Sequence, residues 1–175
     1  MSLIFIDCEA PMGVGAPSVG DMTQFGAVEF DTRETFHGLD PSRETFERFV
    51  SWLRPFPKPW VMVSDNPAYD FQWTNFYMWR HFAGNPLGHS ARRIGDFYAG
   101  LRGDFRKTQE WKRLRIIPHD HNPVHDALGN AEAFARLLAG LQFSRYIRIV
   151  LQQHVNRVDL RWHSEHQIGA VVART

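Results

Sequence analysis

The first apolar run of the chain, Leu3-Ile4-Phe5-Ile6-Asp7-Cys8-Glu9, ends in two acidic residues set one apart. A run of this length and composition reads as a buried strand, and a buried strand excludes charge because an unpaired buried carboxylate is costly. Residues at i and i+2 of a strand point to the same side. Asp7 and Glu9 therefore face the same way and repel each other unless a cation lies between them. Hard divalent ions such as Mg²⁺ and Mn²⁺ take oxygen ligands of this kind. A solvated strand end is the alternative reading of the same two residues.

The remaining bounds are wide. A chain of 175 residues fits one domain with a sizeable core. The formal net charge of +1 gives no global nucleic-acid signature, so any basic surface must be local. Cys8 is the single cysteine, which excludes an internal disulfide and points to an intracellular, cytoplasmic location. No apolar stretch is long enough to span a membrane, and Asp7 and Glu9 interrupt the N-terminal run too early for a signal peptide.

Along the chain the order is strand-first. After the initial strand, residues 10–20 form a Gly/Pro loop. Gln24 to Phe30 reads as a second strand and Thr32 to Phe36 as a third, with Asp31 near the turn. Ser42 to Leu53 reads as a helix, with Phe46, Phe49, Val50 and Leu53 at helical spacing, stopped by Arg54-Pro55-Phe56-Pro57-Lys58-Pro59. Trp60 to Ser64 fits a short strand and Tyr69 to Phe82 an aromatic-rich helix. Ala127, Ala131, Phe134, Leu138 and Leu141 mark one face of another helix. Further on, Arg145 to Val155 reads as a helix and Ile168 to Val172 as a strand.

Two polar segments interrupt this pattern. In Ser64-Asp65-Asn66-Pro67-Ala68-Tyr69-Asp70-Phe71, Asp70 falls in a first helical turn, where the helix dipole favours a carboxylate. A helix cap by Asp65, Asn66 or Asp70 accounts for the same residues. In Pro118-His119-Asp120-His121-Asn122-Pro123-Val124-His125-Asp126-Ala127-Leu128-Gly129-Asn130-Ala131, three histidines and two aspartates crowd together. Histidine is the usual general base near neutral pH and also a zinc ligand.

Taken in order, the three segments resemble the DEDDh family of 3'–5' exonucleases, the RNase T-like and DnaQ-like proteins. Asp7-Cys8-Glu9 is similar to the family's Asp-x-Glu motif, Asp65 to Asp70 to its second motif, and His125 to Ala131 to the third, His-x-Ala-x-x-Asp-Ala. The resemblance runs over roughly residues 3 to 141. It implies an α/β, ribonuclease H-like fold with a central mixed β-sheet flanked by helices. It implies an exonuclease-like domain over 1–143; residues 144–175 lie outside the resemblance and are expected to form a C-terminal extension packed on the same domain. It further implies hydrolysis at the 3' end of single-stranded nucleic acid, RNA favoured over DNA, by two Mg²⁺ or Mn²⁺ ions. Asp7, Glu9, Asp70 and the residue at the fourth position are then the metal-binding set, and His125 the general base. A homodimer is expected as well, since RNase T-like proteins often pair.

One position departs from the pattern: the family's fourth carboxylate falls on Asn130, whose amide oxygen brings no negative charge. Asp126 lies four residues earlier, on the same helical face, and fits as a further metal ligand. Alternatively the register shifts, since His121 and Asp126 have the spacing of His125 and Asn130. The unshifted alignment is preferred here because Ala127 and Ala131 then match the motif's small positions. A weakly active or inactive nucleic-acid-binding domain follows if Asn130 cannot serve. A zinc hydrolase using His119, His121 and His125 is the other rival, but it leaves Glu9 and Asp70 unexplained.

For the substrate, the resemblance implies that Met12 and Val14 wedge against the terminal base, as the corresponding loop does in the family, and Asn66 fits a polar contact. Between Arg102 and Arg115, six basic residues stand against Asp104 and Glu110, which reads either as a phosphate-contacting patch or as a solvated charged face. Trp111 or Phe105 is placed there to stack on an unpaired base.

Overall fold

In the computed structural model, which describes the backbone of residues 1–172 and the side chains of residues 1–157, β1 (Ser2–Glu9) is the central strand of a mixed sheet. The five strands run in the order β3-β2-β1-β4-β5, with β2 Gln24–Glu29, β3 Thr35–Gly38, β4 Trp60–Ser64 and β5 Arg92–Arg93. The β1–β2 and β2–β3 pairs are antiparallel, and β1–β4 and β4–β5 are parallel. The order of elements is completed by α1 (Arg43–Leu53), α2 (Pro67–His81), α3 (Ile94–Arg102), a short 3-10 helix (Glu110–Leu114) and α4 (Pro123–Val172).

The alternation of β1 sets what each face of the sheet buries. Ile4, Ile6 and Cys8 enter a core with Phe46 and Phe49 of α1 and Trp73 and Tyr77 of α2. Phe5 enters a second core with Val28, Val63, Ile94, Trp111, Ala127 and Ala131. Asp7 and Glu9 continue the Phe5 side of the strand, the side that α4 covers. The two acids thus emerge where the sheet runs out and the helix begins.

Local chemistry explains the element ends. Ser42 caps α1, its Oγ accepting from Thr45 N at 3.2 Å, and the helix stops before Pro55. Pro67 occupies the first turn of α2, where its missing N–H costs nothing. The third strand begins at Thr35 rather than Thr32, because residues 30–32 are a turn: Glu29 Oε2 accepts from the backbone N–H groups of Asp31 and Thr32, and Arg33 just after it has φ 64°.

The expected strand at Ile168–Val172 is instead part of α4, which continues unbroken through Arg145–Val155. Residues 141–167 contain neither proline nor glycine, so nothing interrupts a helix once it has started. The chain divides into two units, Met1–Leu137 and the part from Leu138 onward. The sheet and every residue of the site described next belong to the first. No helix among the described residues is long and apolar enough to cross a membrane.

Candidate active site

Asp7 pairs with Gly26 of β2 in the antiparallel register. A Cβ on Gly26 would lie 2.3 Å from both Pro123 C and Val124 N, so the bare glycine is what lets the start of α4 rest on β2. This close approach brings Asp126, in the first turn of α4, to the end of β1. Oxygens of Asp7, Glu9 and Asp126 lie within 4.8 Å of one another. An isolated glycine in an apolar strand is the sequence signal for such an approach, and Gly26 was not singled out.

A second group forms on the β4 side. Asp70, in the first turn of α2, accepts from Cys8 N at Oδ1 (3.0 Å) and from the Ser64 hydroxyl at Oδ2. The ends of β1 and β4 therefore fix both of its oxygens. Asp7, Asp65 and Asp70 also offer oxygens within 4.8 Å of one another. Lys112 Nζ lies 2.8 Å from Asp65 Oδ2. The two carboxylate triads share Asp7.

This crowding is unfavourable without a counter-charge. Burial raises the Asp7 carboxyl well above the usual carboxylate range, and the charges of Asp70, Asp126, Asp65 and Glu9 push it further. Burial likewise raises Asp70, against the lowering effect of the Ser64 hydroxyl. Glu9 is raised mainly by burial and held back by His121. Among the described residues, Asp7 Oδ2 and Asp126 Oδ2 are buried without a hydrogen-bond partner. Buried acceptors left bare beside like charges are costly, and a divalent cation removes both costs together. The donor set, all oxygen, fits such an ion.

The histidines divide. His119 and His121 line the cleft with Asp7, Glu9, Asn66 and Asp70. His121 Nδ1 lies 3.5 Å from Glu9 Oε1, on a backbone with φ 60°, a conformation rare for a non-glycine residue. His119 Nδ1 approaches Asp126 Oδ2 to 2.7 Å without the geometry of a directed hydrogen bond. His125 is half-exposed and turned to Asp120, with Nδ1 2.8 Å from Oδ2. Asn130 is buried to 1% exposure one turn further along α4. His121 and Asp126, which have the shifted spacing, thus both come to the carboxylates, whereas His125 is turned to Asp120.

The other residues singled out in the sequence are spread differently. Met12 is fully exposed at the tip of the first loop. Trp111 is only 1% exposed and donates its indole N–H to Thr108 O, so it belongs to the core and is closed to a base; Phe105 is exposed. Its burial was hidden because a single tryptophan in a basic run carries no periodicity. The basic run itself is largely engaged within the chain: Arg106 with Asp104, Lys107 with Glu110, Lys112 with Asp65 and Arg115 with Asp126.

Comparison with known proteins bears on the fold. No family model matches the chain, and no curated protein does. Solved structures do. The nuclease domain of 3'hExo, a DEDDh family member bound to rAMP, superposes with a TM-score of 0.63 at 12% identity, over 79% of this chain and 92% of that one. The zinc-bound E. coli ExoI–ssDNA complex gives 0.51 at 14% identity, over 78% of this chain and 39% of the other. The resemblance to DEDDh exonucleases stands in three dimensions: the chain has their ribonuclease H-like fold.

Proposed function

We propose that this chain, sharing the fold of DEDDh nuclease domains, is a divalent-metal-dependent 3'–5' exonuclease acting on single-stranded nucleic acid. The observation that carries this reading is the pair of carboxylate triads sharing Asp7, which lines a cleft together with His121. Asp7, Glu9 and Asp126 would hold one cation, and Asp7 with Asp65 and Asp70 a second. Such ions supply an activated water and neutralise charge on the attacking and leaving oxygens of a phosphodiester.

The chain's own groups do the rest. Asp70 is fixed by Cys8 N–H and Ser64, so its carboxylate needs little reorganisation as charge develops. His121, with most of its ring open to the cleft, takes the proton of the attacking water. Asn66 orients the terminal nucleotide from the cleft wall, and Met12 wedges against its base. A preference for RNA over DNA is in keeping with the rAMP held by 3'hExo. The rival reading of an inactive binding domain rested on Asn130; with Asp126 beside Asp7, a fourth carboxylate is supplied.

The test is digestion of end-labelled single-stranded RNA and DNA oligonucleotides with Mg²⁺ or Mn²⁺. Expected is a ladder shortening from the 3' end, faster on RNA, abolished by Asp7→Ala. Binding without cleavage under every metal condition would replace the enzyme with a binding domain.

A further inference from the structure

Arg115 stands out once the basic run is traced residue by residue. Its guanidinium is nearly buried, with 8% of the side chain exposed, against 1% for Asp126. Nη2 donates to Asp126 Oδ1 at 2.6 Å, and Nε donates to the carbonyl of Ile117 at 3.1 Å. The second contact anchors the fork to the backbone. Room for it comes from Gly129, where a Cβ would lie 2.6 Å from Nε and 2.7 Å from Nη2 of Arg115. One oxygen of Asp126 is thus tied down by a fixed planar donor, while Oδ2 accepts no directed hydrogen bond and has the half-exposed His119 Nδ1 2.7 Å away.

We infer that Arg115 is a positioning residue of the metal centre: it locks Asp126 in one rotamer and leaves Oδ2 as its single ligand atom toward Asp7 and Glu9. This rests on the metal reading above and gives it a feature that the five acids alone do not predict. An arginine beside a ligand carboxylate also adds positive charge, which taken alone weakens cation binding. The geometry favours orientation over repulsion, because a buried carboxylate without the fork has two equivalent oxygens and no fixed direction. Outer-shell partners of metal ligands commonly cost 10- to 100-fold in metal affinity when lost. Lysine cannot replace the fork, since its point charge cannot hold Asp126 and the Ile117 carbonyl in one plane.

The experiment is Mn²⁺ titration of the full chain by calorimetry, with oligonucleotide cleavage in parallel, for wild type, Arg115→Lys, Arg115→Met and Gly129→Ala. Thermal melting without metal identifies any variant that fails to fold. Expected is a loss of Mn²⁺ affinity of roughly tenfold or more in Arg115→Met. Gly129→Ala, which displaces the guanidinium while keeping it, should lose affinity as well, and Arg115→Lys should rescue it only in part. In an Asp126→Asn background, Arg115→Met should cause no further loss, because the arginine acts through that carboxylate. Wild type that binds Mn²⁺ together with folded variants that bind it equally or more tightly would overturn the role of Arg115 alone. Wild type that binds no Mn²⁺ would overturn the metal reading and this inference with it.

Discussion

The segments His121–Asp126 and His125–Asn130 both start with a histidine and end five residues later, yet they meet different surroundings. His121 opens onto the cleft near Glu9, and Asp126 reaches Asp7 from the first turn of α4. His125 turns to Asp120 at the surface, and Asn130 is set one turn, about 6 Å, further along the helix. Both Asp126 and Asn130 are buried. The difference lies in which residue coincides with the helix start where it crosses β2 at Gly26. Spacing alone offers two registers; the packing of α4 on β2 brings His121 and Asp126 to the carboxylates.

The largest effect that tests this contrast is at the shared carboxylate. Asp7→Asn is expected to lower cleavage by more than the ~100-fold that loss of an outer-shell partner costs, and to weaken Mn²⁺ binding in both triads. Cleavage rates with saturating Mn²⁺ check it. Next, His121→Ala should lower kcat by roughly 10²- to 10⁴-fold, the usual worth of a general base, while His125→Ala stays near wild type. The reverse ranking in single-turnover kinetics would return the motif to the unshifted register.

Asn130→Asp sharpens the comparison from the other side. It puts a carboxylate at a buried position, which should cost about 3 kcal/mol or more in urea unfolding without raising activity. A gain in Mn²⁺-dependent cleavage would instead make Asn130 the missing ligand. Gly26→Ala should cost about 1–3 kcal/mol by overpacking against Pro123 and Val124, and should lower activity further by pushing Asp126 away from Asp7.

The smallest effect is a pH dependence. Asp7 and Asp70 have raised carboxyl pKa values when folded, so the metal-free protein holds more protons than its unfolded chain. That contribution to stability is fully present below the ordinary value of 3.8 and is lost as pH rises through the folded values, about 8 for Asp70 and about 10 for Asp7. Melting temperatures without metal should therefore contain a component that falls with pH. Mn²⁺ should remove it, and Asp7→Asn should reduce it.

Much of this was legible from local pattern. The apolar run ending in Asp7 and Glu9, the capped α1 and the first-turn Asp70 each follow from spacing and terminal chemistry within a few residues. The approach of Asp126 to Asp7 was not, because the motif's two small positions fall on Ala127 and Ala131 in the unshifted register but on Pro123 and Ala127 in the shifted one, which favours the unshifted reading from sequence. Gly26 and Gly129 gain meaning only from what lies against them, Pro123 in one case and Arg115 in the other. Arg115 itself was hidden among basic neighbours, since a buried guanidinium and a phosphate-seeking one look alike in a sequence. The continuity of α4 past Leu141 was only partly legible: Arg145–Val155 reads as a helix of its own and the β-branched residues near Val172 suggest a strand, whereas a helix already nucleated continues through both.

The central claim, that Asp7 joins two carboxylate triads into one metal centre, is tested most directly by calorimetric titration of Mn²⁺ into wild type and Asp7→Asn. Two ions per chain in wild type, with both sites weakened by the single substitution, is the predicted result. No saturable binding in wild type, or binding that Asp7→Asn leaves intact, would contradict it.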